Sequence, residues 1–86
     1  MKKDIFTKCF TDEKLSLQAK GLFGFIMTIY KTSEIRKEEF IGHFSNGRDA
    51  IYRAFNELID NNYIKVKEEI KTNGQFGKKY YFVNEK

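Results

Sequence analysis

The fold of this chain is decided by residues 45–64, SNGRDAIYRAFNELIDNNYI. In this stretch, apolar side chains recur at the three- and four-residue spacing of a helix face, at Ile51, Ala54, Phe55, Leu58 and Ile59. The spacing predicts an amphipathic helix over about residues 47–61, preceded by a compact turn over residues 45–47. We expect Asn46 to cap this helix and Asp49 to complete a capping box, because both side chains accept hydrogen bonds from free amide groups.

A longer helix is predicted over residues 17–31. Ser16 is a favourable N-cap for it, because its hydroxyl oxygen can accept a hydrogen bond from the first turn. The apolar stripe of this helix consists of Leu22, Phe23, Ile26, Met27 and Tyr30. Gly21 and Gly24 lie inside it, and each costs about 1 kcal/mol relative to alanine. We therefore expect a neighbouring element to pack closely against both glycines.

Shorter elements are predicted on either side of the long helix. A short helix runs from Arg36 or Lys37 to Phe44, and Ile35 lies in a very short strand before it. Residues 5–10, IFTKCF, are rich in residues that favour strands. This composition predicts a short extended segment at the N-terminal end.

The C-terminal residues predict a β-hairpin. Residues 63–70 alternate apolar and charged side chains except at Glu68, and residues 79–83 form the returning strand. Asn73-Gly74 between them is a strong turn signal, since both residue types tolerate a positive φ.

The predicted order is helix, helix, tight turn, helix and two-stranded hairpin. This order indicates an α+β fold of the winged helix-turn-helix type, in which the helix after the turn enters the major groove of DNA. The chain has 86 residues, of which 41% are hydrophobic, which predicts one domain over residues 1–86 with one core.

Several function classes are disfavoured by the composition. Cys9 is the single cysteine and His43 the single histidine, so no disulfide or thiolate metal cluster is expected. We expect Cys9 to be an inert thiol and His43 a structural residue. There is no apolar run of membrane-spanning length and no secretory signal core. The sequence thus predicts a cytoplasmic binding protein without cofactor or catalytic site.

The outward face of the helix over residues 47–61 is the predicted DNA-binding surface. At 100° per residue, the side opposite Ile51 presents Asp49, Arg53, Asn56 and Asp60, flanked by Tyr52 and Glu57. Arg53 can pair with a guanine edge and Asn56 with an adenine edge.

The remaining contacts of that helix are expected to be with phosphates. They involve Ser45, Tyr52 and the free amide groups at the helix start, while Arg48 can reach outward and Asn46 and Asp49 are further candidate DNA-binding residues. Asp60 and Glu57 must then lie outside the groove or pair with Arg53 and a lysine. The alternative is an ordinary solvated helix face.

The hairpin holds most of the net charge of +4. Residues 63–86 contain six lysines and three glutamates, a surplus of three positive charges. Lys71, Lys78 and Lys79 near the hairpin tip are predicted to contact phosphates. For Lys65 and Lys67, protection of an edge strand against aggregation is an equally good explanation.

Two stretches resemble the winged-helix domains of bacterial, phage and plasmid replication initiators, including the N-terminal domain of DnaD-like primosome proteins. They are residues 15–23, LSLQAKGLF, and residues 47–64, GRDAIYRAFNELIDNNYI. The Gly-Arg-Asp run of that family matches at residues 47–49. Asn61-Asn62 stands where many relatives have a small residue and glycine, which should affect the helix end rather than DNA contacts. The resemblance implies binding of double-stranded DNA or assembly of a replication complex, often as a dimer or higher oligomer.

A protein-interaction module is the alternative function. In that case the predicted strand over residues 4–10 pairs across a homodimer, anchored by Phe6 and Phe10, and replication proteins are further partners. RNA binding is disfavoured, because the sequence shows no evident stacking surface of exposed aromatic residues on a sheet.

Overall fold

The computed structural model describes residues 4–70, 74 and 76–84. Within these ranges it contains four α-helices and one antiparallel hairpin, with a 3₁₀ turn over Ile41–His43. The helices are α1 (Ile5–Phe10), α2 (Leu17–Tyr30), α3 (Lys37–Phe40) and α4 (Arg48–Asp60). The strands are β1 (Ile64–Ile70) and β2 (Phe76–Val83). This α+β order is the winged-helix layout that the sequence predicts.

The N-terminal segment is a helix, so the predicted strand over residues 5–10 is wrong. The Asp4 carboxylate accepts a hydrogen bond of 2.7 Å from the amide of Thr7 and caps α1. Cys9 is fully buried, and the Phe6 ring centroid lies 6.3 Å from that of Phe23. Packing against α2 outweighs the strand preference of these residues. Phe6 is thus used within the protomer rather than in a strand pairing.

Helix α2 begins as predicted, with the Ser16 hydroxyl accepting a hydrogen bond of 3.1 Å from the amide of Ala19. The expected close packing of a neighbouring element against the glycines of α2 is wrong at Gly21, where a Cβ atom would meet nothing within 4 Å. At Gly24 it would meet the tip of the Phe10 ring at 3.6 Å, an ordinary contact. Neither glycine is therefore required by close packing.

The predicted second helix is α3 followed by the 3₁₀ turn, so its regular part is shorter than expected. Phe40 is fully buried at the end of α3. The predicted strand at Ile35 is a single bridge to Tyr81, with a hydrogen bond of 2.8 Å from the Ile35 amide to the Tyr81 carbonyl. This bridge joins the start of α3 to the hairpin.

Helix α4 begins at Arg48, one residue later than a helix capped by Asn46 would begin. Gly47, in an extended conformation, is its N-cap, so the expected capping box of Asn46 and Asp49 is wrong. At the other end the amide of Tyr63 donates to the Leu58 carbonyl (2.8 Å). Asn62 turns the chain out of the helix with a φ of +68°.

The hairpin places its first residues in the core and its remainder in solvent. Ile64 pairs with Val83, and both are buried, whereas Ile70 is 70% exposed. The register shifts between Glu68 and Ile70. Gly74 has the positive φ (+83°) expected of a turn residue, while Asn73 and Lys71 lie outside the described residues.

The core is an aromatic and aliphatic cluster between the helices and the base of the hairpin. Phe23, Phe40 and Phe55 are its largest fully buried side chains. The Phe55 ring lies 6.1 Å from Phe40 and 5.1 Å from Tyr81, measured between centroids. Each such ring contributes roughly 1.5–3 kcal/mol by burial. Phe55 thereby fixes α4 against both α3 and the hairpin.

Tyr63 ties α1 to the start of the hairpin. Its hydroxyl donates to the Asp12 carboxylate at 2.8 Å and lies 3.3 Å from the Lys8 carbonyl. Burial and the bond to Asp12 raise the pKa of Tyr63 above its usual range. Burial, with the nearby Asp12 charge, raises the pKa of Cys9 to about 11, so its thiol is protonated at neutral pH.

In the described part of the chain, no helix has both the length and the apolar character that a membrane crossing requires.

Candidate nucleic-acid interface

Helix α4 presents a continuous polar face to solvent. Its opposite side buries Ile51, Ala54, Phe55 and Leu58 in the core. The exposed side chains are those of Arg48, Asp49, Arg53, Asn56 and Asp60. Because the buried side is fixed by large apolar groups, the exposed side has a defined orientation. The structure therefore brings the predicted residues of this helix together on one surface.

The start of α4 is open to solvent. Gly47 offers no side chain to cap the helix, and Ser45, Asn46 and Arg48 around it are exposed. Amide groups in the first turn of a helix attract anions such as phosphate. Asp49 lies in this turn and supplies a competing negative charge. This end of α4 can therefore contact a phosphate, with the charge of Asp49 opposing that contact.

Arg53 is exposed and lies in a shallow depression beside Gln18 and Glu57. Among the described residues, no carboxylate lies within ion-pair distance of its guanidinium. A guanidinium without such a partner keeps its full set of donors for a ligand. Arg53 can therefore form a bidentate contact without first breaking an ion pair.

Glu57 has a structural role that the sequence does not reveal. Its Oε1 accepts a hydrogen bond of 2.9 Å from the Ser16 amide, and its Oε2 accepts one of 2.7 Å from the Ser16 hydroxyl. The alternatives considered for Glu57, pairing with Arg53 or with a lysine, are thus replaced by a bond to the N-cap of α2. This contact holds α2 and α4 together and fixes the Glu57 carboxylate at the edge of the exposed face.

Lys37 is a further basic group at the surface that the sequence analysis missed. Its Nζ lies 4.9 Å from the ring centroid of Tyr81, 5.1 Å from that of Tyr52 and 5.7 Å from that of Phe55. The ammonium group also donates to the Tyr81 hydroxyl at 3.5 Å, so the cation–π contacts and this hydrogen bond together hold it in place. No local pattern indicates the group, because its rings come from α4 and β2 while Lys37 is on α3.

The wing charges are more nearly balanced than the sequence suggests. Lys79 Nζ lies 3.7 Å from Glu68 Oε1, and both groups are partly exposed. The crevice between residues 34–39 and β2 is lined by four basic and three acidic side chains. They are Arg36, Lys37, Lys78 and Lys79, with Glu34, Glu38 and Glu39. Of the two lysines on β2 in this crevice, Lys78 is the one nearer the tip of the hairpin, and it is exposed.

His43 contributes to the aromatic packing beside α2. Its ring centroid lies 5.4 Å from that of Phe25, which in turn contacts Phe40 and Phe44. His43 is itself exposed, so the structural role expected for it stays a prediction.

The chain matches no model of a known protein family, and the comparison with curated proteins finds no relative.

Proposed function

We propose that this chain is a double-stranded DNA-binding module in replication initiation or transcription control of a bacterial, phage or plasmid element. The observation that supports this most is the exposed face of α4, which combines Arg53 and Asn56 on a rigidly packed helix. Arginine and asparagine are the side chains that pair bidentately with guanine and adenine edges in the major groove. In this proposal α4 lies in that groove.

The surrounding residues would position the helix on the duplex. Arg48 and the open start of α4 would contact phosphates at the beginning of the helix. Tyr52 lies beside Lys37, which lines one crevice with Lys78 and Lys79, and these groups would contact phosphates next to the wing. Because Asp49 and Asp60 reduce the positive charge of α4, we expect specific contacts to provide much of the affinity.

A titration with duplex DNA at several salt concentrations tests this function. The logarithm of the binding constant should fall with the logarithm of salt, with a slope that reports a few phosphate contacts. On a site selected from random duplexes, Arg53→Ala should cost about 1–3 kcal/mol and relax specificity at one base pair. Lys14→Ala, a change at an exposed basic residue outside α4, is the control and should change little. No binding by the native protein at low salt would overturn the proposal.

Self-association is the second candidate function, and an exposed apolar surface on α2 favours it. Leu17 is 83% exposed beside a groove lined by Gly21, Leu22, Phe44 and Ala54. Charge reversal at Lys78 and Lys79 should abolish DNA binding and leave an oligomer intact, whereas Leu17→Ser should do the opposite. Sedimentation analysis of both variants distinguishes the two functions.

A cytoplasmic location is part of the proposal. A single cysteine held as a buried thiol is compatible with a reducing compartment.

A further inference from the structure

The hairpin has an aromatic face that the core does not use. The register pairs Lys65 with Phe82 and Lys67 with Tyr80, so these four side chains share one face, which we call the outer face. The opposite face begins with the buried pair Ile64 and Val83 and continues with Tyr81, which packs on the core. The outer face thus points away from the cluster that stabilises the fold.

Both rings of the outer face are partly exposed. Tyr80 and Phe82 each have intermediate accessibility, and neither belongs to the core or to the side chains packed against it. Lys67 Nζ lies 5.5 Å from the centre of the Phe82 ring. Large aromatic side chains normally contribute by burial, so two of them on a solvated strand point to a ligand that covers them.

A basic crevice adjoins these rings. It has a volume of about 200 Å³ and is lined by Lys31, Thr32, Ser33, Lys65, Lys67, Phe82 and Val83. Three lysines and two hydroxyl groups face it without a carboxylate among its lining residues, unlike the mixed crevice beside residues 34–39. This is the composition of a site for an anion.

Glu69 lies at the end of the outer face that is nearer the hairpin tip. Glu69 follows Lys67 on the same face, and its Oε2 lies 3.5 Å from the Tyr80 hydroxyl. Its side chain also lies over Gly77, where a Cβ atom would approach it to 2.8 Å. The positive part of the face therefore extends from Tyr80 toward the base of the hairpin and Lys31.

We propose that the outer face and its crevice bind single-stranded DNA. Bases would stack on Tyr80 and Phe82, while Lys31, Lys65 and Lys67 would contact the phosphates. Single-strand binding sites combine these two features, because every base has an aromatic face and every linkage has a charge. Side chains two residues apart on a strand point to the same face and are about 6.8 Å from each other, so both rings are available to neighbouring bases. A duplex cannot use these rings, since its bases are already stacked on one another.

This inference does not depend on the contacts of α4 with duplex DNA. Arg53 lies on α4, whereas the outer face lies on the hairpin and its crevice extends to residues 31–33 after α2. We therefore expect Arg53→Ala to weaken binding of duplex DNA and leave the affinity for a single strand unchanged. Failure of one activity is distinguishable from failure of the other.

The test is fluorescence anisotropy of the full chain with a labelled oligothymidylate at moderate salt. The double variant Tyr80→Ala/Phe82→Ala should lose affinity by about tenfold or more, because stacking on each ring contributes to binding. The conservative variant Phe82→Tyr should retain the native affinity. Circular dichroism and thermal melting of each variant establish whether it is folded.

A charge reversal provides a second arm that does not alter the aromatic rings. Lys65→Glu should weaken oligothymidylate binding severalfold, whereas Lys14→Glu, the same change at another exposed lysine, should have a much smaller effect. The proposal is overturned if the native protein does not bind the oligonucleotide, if the two reversals have equal effects, or if a folded double variant retains its affinity.

Discussion

Asn62 shows how a single residue can fix the end of the proposed recognition helix. It is the one non-glycine residue in the described ranges with a positive φ, at +68°. Its amide donates to the Ile59 carbonyl at 3.0 Å, while that of Tyr63 donates to Leu58. This pair of bonds closes the helix by a Schellman motif, with asparagine where glycine is commonest. Asn62 thus ends the helix with the left-handed backbone conformation for which glycine is commonest.

Replacing Asn62 tests this arrangement. Asn62→Ala should lower the free energy of unfolding by roughly 1 kcal/mol, because alanine tolerates the left-handed conformation less well. For a chain of this size, that loss corresponds to a melting temperature about 4–8 °C lower. Asn62→Gly is the matched control and should be at least as stable as the native protein. Urea unfolding measures both, and equal losses in the two variants would contradict the backbone explanation.

Asp12 gives the stability a dependence on pH. The amide of Lys14 and the hydroxyl of Tyr63 donate to its carboxylate and lower its pKa below the ordinary value of 3.8. A lowered pKa in the folded state adds stability that is present above the ordinary pKa and is lost as pH falls through the folded value.

The pH profile of thermal unfolding checks this effect. Asp12→Asn should reduce the melting temperature at neutral pH and flatten its decline below about pH 4. Tyr63→Phe removes one of the two donors and should flatten the decline in part. Native-like acid sensitivity in both variants would argue against this role of Asp12.

At the scale of elements, the sequence predicts some parts of the fold much better than others. The hairpin is correct because alternating side chains and a glycine-containing turn are local signals. Helix α1 is missed because six residues are too few for periodicity to outweigh strand preference. Its N-cap Asp4 is a local signal, whereas its burial against Phe23 depends on the tertiary fold.

Glu57 joins two helices whose residues are far apart in sequence. Glu57→Ala should lower the free energy of unfolding by about 1.5–3 kcal/mol, because a charged acceptor of two partly buried hydrogen bonds is lost. Ser16→Ala combined with it should cost less than the sum of the single changes. Chemical denaturation of the four proteins gives the coupling between the two side chains.

DNA binding by folded Glu57→Ala should remain close to that of the native protein. Asp60→Ala provides the comparison, because Asp60 is exposed on the same helix. A large loss of affinity in Glu57→Ala alone would place Glu57 in the interface instead.

At the scale of the whole molecule, the exposed face of α4 could be predicted because it depends on one helical period. The position of Lys37 could not, since three rings from two other elements surround it. The expectation that the sheet has no stacking surface is wrong at the outer face, and the sequence misses this surface because the pairing of Lys67 with Tyr80 is set by a register that includes a shift near the tip. Surfaces that combine distant elements require the folded structure.

Cys9 reports on the integrity of the whole fold. Its side chain is fully buried, and its pKa of about 11 leaves little thiolate at neutral pH. Alkylation by iodoacetamide should therefore be slower than in denaturant by a factor on the order of a hundred or more, because it requires opening of α1. Mass spectrometry of timed samples measures the rate. Rapid labelling of the native protein would show that α1 detaches readily from α2.

The bridge between Ile35 and Tyr81 helps to fix the shape of the binding surface in the free protein. By joining the start of α3 to the wing at Tyr81, whose ring also contacts Phe55 of α4, it fixes the position of β2 before any ligand arrives. Preorganisation of this kind reduces the entropy lost on association. In the proposed complex with DNA, a wing held in this way would resist widening to fit a distorted duplex, so discrimination between duplexes of different groove width would arise from rigidity rather than from additional contacts.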